Sequence, residues 1–262
     1  MKYIERWGTK ISYEVRGNGP PLMLCHGLLG DGSLWDQMTG QLEKNFTLII
    51  PDLRGQRHSS TETPFTLWDS ADDLMAILDA EKITQTQAIG FSMGGMAVLR
   101  MAIKYPARVS ALGLISTAAG QEPAKSLKKH LRSASIIRLF GPLRIFESFS
   151  KDFMFRQGFE ESHPIQFEAV MKSMRCQNKR SAAHAMIAVY CRDSVIPFLK
   201  QITAPTIIVV GTKDKSTPVK CSEEMARHLP HSKFFTIEGA GHMLPTECPQ
   251  ELVEHIVKFF CY

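Results

Sequence analysis

The stretch AIGFSMGG, residues 88–95, surrounds one serine with three glycines. Gly90 and Gly94 stand two residues before and two residues after Ser92, where the lack of a Cβ lets the backbone bend sharply. An apolar run precedes this stretch and a helical pattern follows it, so we expect Ser92 on a strand-to-helix turn. The Met93 N–H would then lie at a helix N-terminus, facing any negative charge that develops beside the serine. These residues predict a nucleophile with one oxyanion-binding amide.

A serine nucleophile needs a general base, and the base needs an acceptor that fixes its tautomer. Asp214 follows the apolar run PTIIVVG, and His242 follows the last apolar run in the loop EGAGH. Both would lie at strand ends on the same sheet edge as Ser92, where ligands of parallel sheets bind. The chain order Ser92, Asp214, His242 therefore predicts a triad for acyl transfer. His26 also follows a strand, but its setting in CHGLLG favours a loop-shaping role.

The elements that must position these residues follow a βαβ rhythm. YIERW and ISYEV alternate apolar and polar residues, which predicts a half-exposed hairpin at a sheet edge. Five further runs are apolar on both faces, as strands of a covered parallel sheet are. They are PLMLC, FTLII, TQAIG, VSALGLIS and PTIIVVG. Segments whose apolar residues recur at helical spacing lie between these predicted strands. The predicted fold class is α/β, a mostly parallel, doubly wound sheet.

The rhythm stops at Ala118 and resumes near Pro205, with helical patterns and no convincing strand between them. We expect residues 1–117 and 201–262 to form an α/β core and residues 118–200 to form a helical insertion. The insertion precedes the strand that leads to Asp214. Its first half, residues 118–158, carries a net charge of +5, whereas the rest of the chain is nearly neutral.

Five motifs in order, HGLLGDGSLW, DLRG, GFSMGG, GTKD and GAGH, resemble the α/β-hydrolase fold family. The likeness is to its small capped serine hydrolases, a group of esterases, enol-lactonases and haloperoxidase-like enzymes. It implies that Leu28, after His-Gly, supplies a second oxyanion N–H and that the insertion is a cap. Ser92 stands where epoxide hydrolases and haloalkane dehalogenases of this fold carry aspartate. Arg57 departs from the family pattern, which has glycine there; we expect a surface arginine.

The resemblance implies hydrolysis of a small hydrophobic ester, lactone or thioester, without metal or cofactor. Cap phenylalanines favour a hydrophobic acyl pocket, although they could equally form the core of the cap. The expected pocket residues are Leu29, Trp35, Phe91, Phe140, Phe146, Phe149 and Met243. Relatives of similar sequence also cleave enol-lactones or carbon–carbon bonds, or act on carrier-linked methyl esters. A slow-turnover ligand receptor on the same fold is a further alternative.

Composition restricts the setting and the partners. The N-terminus lacks the apolar run of a signal peptide, no stretch is long enough to span a membrane, and six scattered cysteines form no CxxC pair. We therefore expect a cytoplasmic protein with neither nucleic-acid nor membrane partners. The basic charge of the insertion suggests an acidic carrier protein as a possible partner, although a solvated helix face would also explain it.

Overall fold

The computed structural model describes residues 1–142 and 151–261, and its centre is an eight-stranded sheet. The strands are β1 (Lys2–Arg6), β2 (Thr9–Arg16), β3 (Pro21–Cys25), β4 (Thr47–Pro51), β5 (Thr86–Phe91), β6 (Val109–Ile115), β7 (Thr206–Gly211) and β8 (Ser232–Ile237). Their order is β1-β2-β4-β3-β5-β6-β7-β8. The first two strands run antiparallel to their neighbours, and all others pair in parallel. The α/β class and the edge hairpin are confirmed.

Helices lie against both faces of this sheet and also occur in the segment between β6 and β7. They are α1 (Asp36–Leu42), α2 (Leu67–Ala80), α3 (Met93–Lys104), α4 (Ala124–Phe140), α5 (Phe159–Ser162), α6 (Pro164–Arg175), α7 (Lys179–Tyr190), α8 (Val219–His228), α9 (Leu244–Glu247) and α10 (Pro249–Phe260). One core cluster packs α2 and α3 against the sheet, and a second packs α1 and α10 against the opposite face. Central strands read as continuous apolar runs because both faces are covered.

The regular secondary structure between β6 and β7 is helical in the residues that the structure describes. Within residues 118–142 and 151–200 there is no strand; α4 packs along α7, and residues 151–154 form a further helical turn. Phe155 stacks on Phe159 with ring centroids 5.0 Å apart, and the tilted ring of Phe167 packs against Phe155. These aromatic rings form an apolar core within the insertion, which was the alternative interpretation of its phenylalanines.

No helix in residues 1–142 and 151–261 is long and apolar enough to cross a membrane. Two of the expected pocket residues, Phe146 and Phe149, lie outside the described residues.

Candidate active site

Ser92 occupies a strained turn between β5 and α3. Its φ of +50° lies in the left-handed region that non-glycine residues rarely adopt, and neighbouring polar contacts hold it there. The Ser92 N–H donates to the Ile115 carbonyl at 2.9 Å, and the Thr117 hydroxyl donates to the Ser92 carbonyl at 2.6 Å. A Cβ on Gly90 would collide with the backbone of Gly94. The glycines around Ser92 are therefore required by close backbone packing.

Ser92, His242 and Asp214 form one hydrogen-bonded line. Ser92 Oγ lies 3.1 Å from His242 Nε2, and His242 Nδ1 lies 2.8 Å from Asp214 Oδ2. The other oxygen, Asp214 Oδ1, accepts from the N–H groups of Ser216 and Thr217, both at 2.8 Å. This geometry places a proton acceptor beside the hydroxyl and a carboxylate behind the acceptor, as nucleophilic catalysis requires.

The environment of Asp214 favours its ionised form. Burial raises the pKa of a carboxyl group, but here the charge of His242 and hydrogen bonds from His242 and Thr217 outweigh it, so the pKa of Asp214 falls below its ordinary value. The Thr217 hydroxyl donates to Asp214 Oδ2 at 3.0 Å and lies 3.3 Å from His242 Nδ1. An ionised carboxylate can orient the imidazole and stabilise its protonated form.

The two candidate oxyanion donors belong to segments that pack closely. A Cβ on Gly94 would collide with the carbonyls of Cys25 and His26, and one on Gly27 would lie 3.3 Å from Ser92 Cβ. The loop after β3 therefore lies against the start of α3. Within the described residues, neither the Leu28 N–H nor the Met93 N–H has a hydrogen-bond acceptor. Two free amides beside a serine can stabilise a developing oxyanion.

His26 shapes this loop, as its setting in the sequence suggested. The ring is fully buried, and Nε2 accepts from the Leu53 N–H at 3.0 Å. Nδ1 therefore carries the proton, which it donates to the Gly27 carbonyl at 2.8 Å. With both nitrogens engaged, His26 has no free site for proton transfer.

The structure places the expected pocket residues in different surroundings. The Phe91 ring lies 5.0 Å from the His242 ring, and Leu29, Trp35 and Met243 are buried in the core. Phe140 ends α4 with 65% of its surface exposed, and its role as a pocket residue stays a prediction. Helical periodicity located the helix but not which residue at its end would find an apolar neighbour.

Arg57 also differs from expectation. It has a φ of +45°, which explains why the family pattern carries glycine at this position. Its Nε lies 3.7 Å from Asp31 Oδ2, and 36% of its side chain is exposed. The residue is therefore a half-buried partner of Asp31 rather than a free surface arginine.

The sequence analysis missed a buried carboxylate behind the histidine loop. The side chain of Glu247 is 0% exposed, and Oε2 accepts from the N–H groups of Gly241 and Arg156 at 3.0 and 3.2 Å. The N–H groups of His242 and Met243 both donate to the Met154 carbonyl. The loop that carries the candidate base is thus joined to residues 154–156 of the insertion. Nothing in local sequence indicates such a long-range contact.

Replacing Glu247 with glutamine tests this junction. The substitution keeps the shape but removes the charge that accepts two backbone N–H groups, so we expect the free energy of unfolding to fall by about 2 kcal/mol. Because His242 follows Gly241 directly, kcat should fall about tenfold while KM changes less. Urea unfolding and steady-state kinetics measure both. Glu251→Gln, on the exposed face of α10, is the control; equal effects of the two variants would contradict the role of Glu247.

A mostly parallel sheet with a serine elbow at one strand end and acid and histidine loops at two others defines the hydrolase class of α/β proteins. The sequence model of the α/β hydrolase fold family matches residues 20–247 of this chain. The chain belongs to this family.

The chain is similar to named relatives and to solved structures over nearly its whole length. 3-Oxoadipate enol-lactonase 2 of Acinetobacter baylyi is 28% identical over 245 residues, which is 92% of this chain and 90% of that protein. The pimeloyl-[acyl-carrier protein] methyl ester esterase of Vibrio vulnificus is 23% identical over 257 residues, 96% of this chain and 98% of the relative. A thermophilic esterase from Thermogutta terrifontis, solved with malate bound, superposes with a TM-score of 0.93 at 27% identity, covering 100% of this chain and 98% of that one.

Proposed function

We propose that the protein is a serine hydrolase that cleaves a carboxylic ester, or the related lactone or thioester, of a small hydrophobic acyl group. The observation that carries this proposal is the continuous line from Ser92 Oγ through the His242 ring to the Asp214 carboxylate, with contacts of 3.1 and 2.8 Å. Relatives named as esterases and an enol-lactonase support the same reaction type.

The reaction proceeds through an acyl-enzyme. Ser92 Oγ attacks the substrate carbonyl while His242 Nε2 takes its proton, and the ionised Asp214 stabilises the imidazolium. The N–H groups of Leu28 and Met93 donate to the oxyanion. His242 then protonates the leaving alcohol or thiol. In the second half, His242 removes a proton from water, which attacks the acyl-enzyme and releases the acid.

The division of the chain supports this assignment. In the proposed arrangement, residues 1–117 and 201–262 are the catalytic core and residues 118–200 are a cap over it. Apolar side chains next to the triad, such as Phe91 and Met243, favour a hydrophobic substrate over a charged one. Carbon–carbon bond hydrolases and ligand receptors also use this fold. The ester series described below distinguishes these two alternatives from an esterase.

A series of p-nitrophenyl esters from acetate to decanoate tests the proposal. We expect repeated turnover with kcat/KM highest at one acyl length, because a pocket of fixed size favours one chain length. A single burst of p-nitrophenol equal to the enzyme concentration would favour a receptor with slow deacylation. If no ester is cleaved while the folded protein cleaves a carbon–carbon bond of a vinylogous diketone, ester hydrolysis is the wrong reaction.

A carrier-linked ester is a second candidate substrate, favoured by the charge on α4. Lys125, Lys128, Lys129 and Arg132 follow helical spacing and are all exposed; we call these four residues the basic face. None of them forms an ion pair within the described residues, whereas Arg156 lies 3.5 Å from Glu247. Unpaired cations on one helix face can attract an acidic partner.

Replacing the four residues of the basic face with glutamine should raise KM for a carrier-linked methyl ester about tenfold, because electrostatic attraction speeds association. Hydrolysis of the same acyl methyl ester free in solution should not change. The control replaces four exposed lysines elsewhere, Lys44, Lys82, Lys200 and Lys258. The carrier candidate fails if the two quadruple variants have the same KM for the carrier-linked ester.

A further inference from the structure

Gln177 lies in the turn between α6 and α7, and its side-chain amide is hydrogen-bonded by backbone groups on both sides. The residue is 5% exposed. Its Nε2 donates to the carbonyls of Gly30 at 3.1 Å, Ser173 at 3.1 Å and Leu29 at 3.3 Å. Its Oε1 accepts from the Arg57 N–H at 2.7 Å. One side chain of the insertion thus joins two loops of the core.

Both loops carry strain at the residues that Gln177 contacts. Leu29 has a φ of +59° and Arg57 a φ of +45°, conformations that cost free energy for any residue with a Cβ. Such conformations persist where the surroundings hold them. The same amide group bonds the carbonyl of one strained residue and the N–H of the other. This coincidence indicates that Gln177 stabilises both turns.

The loop that Gln177 bonds at Leu29 and Gly30 fixes the direction of the Leu28 N–H, the candidate oxyanion donor. The Gly27 carbonyl accepts from the Gly30 N–H at 3.2 Å and from His26 Nδ1 at 2.8 Å. In a trans peptide the N–H points opposite to the carbonyl, so these bonds direct the Leu28 N–H away from them. Gly30, which closes the turn, is the residue whose carbonyl Gln177 holds. A shift of Gly30 would release the Gly27 carbonyl and with it the orientation of Leu28.

We propose that Gln177 is a positioning residue, which holds the Leu28 N–H in the direction required to bind the oxyanion. The inference rests on the proposed function, in which Leu28 is an oxyanion donor. It gives the cap a role in transition-state stabilisation in addition to covering the substrate. Glutamine fits because it offers two donor hydrogens and one acceptor at the same reach. Glutamate would keep the acceptor for Arg57 but would place a carboxylate against three carbonyls.

The test compares Gln177→Met with Ser181→Ala. Methionine keeps the length of the side chain without its hydrogen bonds. Ser181 is a matched control because it is equally buried, lies in the same insertion and bonds the core through Thr61, at 2.8 Å to the N–H and 2.7 Å to the carbonyl. Within the described residues the Ser181 hydroxyl bonds Thr61 and not the loop of Leu28, so its loss reports only the general cost of a cap–core bond.

The readouts are the second-order rate of Ser92 phosphonylation by a fluorophosphonate and the affinity for a trifluoromethyl ketone, both of which place an oxygen in the oxyanion site. We expect Gln177→Met to lower both about ten- to a hundredfold, less than the full loss of a donor. Ser181→Ala should leave both within about twofold of wild type, although both variants lower the melting temperature. Gln177→Glu should show the same loss as Gln177→Met, and it replaces that variant if methionine prevents folding.

Equal rates for Gln177→Met and wild type, or equal losses for Gln177→Met and Ser181→Ala, would overturn the inference. If the wild type itself is not phosphonylated at Ser92, the proposed function fails, and the positioning role fails with it. Normal wild-type labelling with an unaffected Gln177 variant would reject only the positioning role.

Discussion

Ser92→Ala is expected to lower kcat on any ester that the wild type hydrolyses by about 10⁶-fold, because the variant cannot form an acyl-enzyme. The remaining rate would come from the oxyanion amides and substrate binding alone. KM should change little, since the hydroxyl contributes to bond making more than to binding. The measurement is steady-state hydrolysis of the preferred p-nitrophenyl ester, followed by product release over hours for the variant.

The fold should tolerate the change. Ser92 Oγ has one hydrogen-bond partner within the described residues, His242 Nε2, while the backbone of Ser92 keeps its bonds to Ile115 and Thr117. Alanine can occupy the elbow at a strain similar to that of serine. Ser135→Ala, on the exposed side of α4, is the control for loss of a hydroxyl. A folded Ser92→Ala variant with more than about a tenth of wild-type activity would reject Ser92 as the nucleophile.

Asp214→Asn is expected to lower kcat by about 10⁴-fold. An asparagine can present its NH₂ group to His242 Nδ1, which would place the imidazole proton on Nε2 and remove the base from Ser92. The amide also cannot stabilise the imidazolium as a carboxylate does. The change should be smaller than for Ser92→Ala because the nucleophile and oxyanion donors remain.

The pH profile separates this explanation from simple misfolding. A neutral side chain behind His242 leaves the imidazole harder to protonate, so the acidic limb of the variant's residual kcat should lie at lower pH than that of the wild type. Asp79→Asn is the control, because Asp79 pairs with Arg108 on the surface. The role of Asp214 is wrong if its variant is as active as the Asp79 variant.

The fold and the residues of the proposed triad could be predicted because each depends on local sequence. The glycines at 90 and 94 permit one sharp turn, and apolar runs on either side place that turn between a strand and a helix. Asp214 and His242 could be ranked above other acids and histidines because both follow strands that end at one sheet edge. The parallel sheet converts this order in sequence into proximity in space.

The residues that contact the loops around the proposed triad were not predictable in the same way. Gln177 bonds a core loop 120 positions away in the chain, and Glu247 bonds a loop of the insertion 91 positions away. Neither residue belongs to a local motif. The exposure of Phe140 was not predictable for a related reason: helical periodicity gives the phase of a helix, whereas the burial of its last residue depends on which element packs beside it. Such contacts are properties of the assembled structure.

The most direct test of the central claim is to react the protein with a fluorophosphonate and map the adduct by peptide mass spectrometry. The account predicts one phosphonyl group per chain, on Ser92, with no adduct on Ser92→Ala and much slower labelling of His242→Ala. Labelling of the folded wild type at another residue, or no labelling at all, would contradict the claim that Ser92, His242 and Asp214 form a working nucleophile.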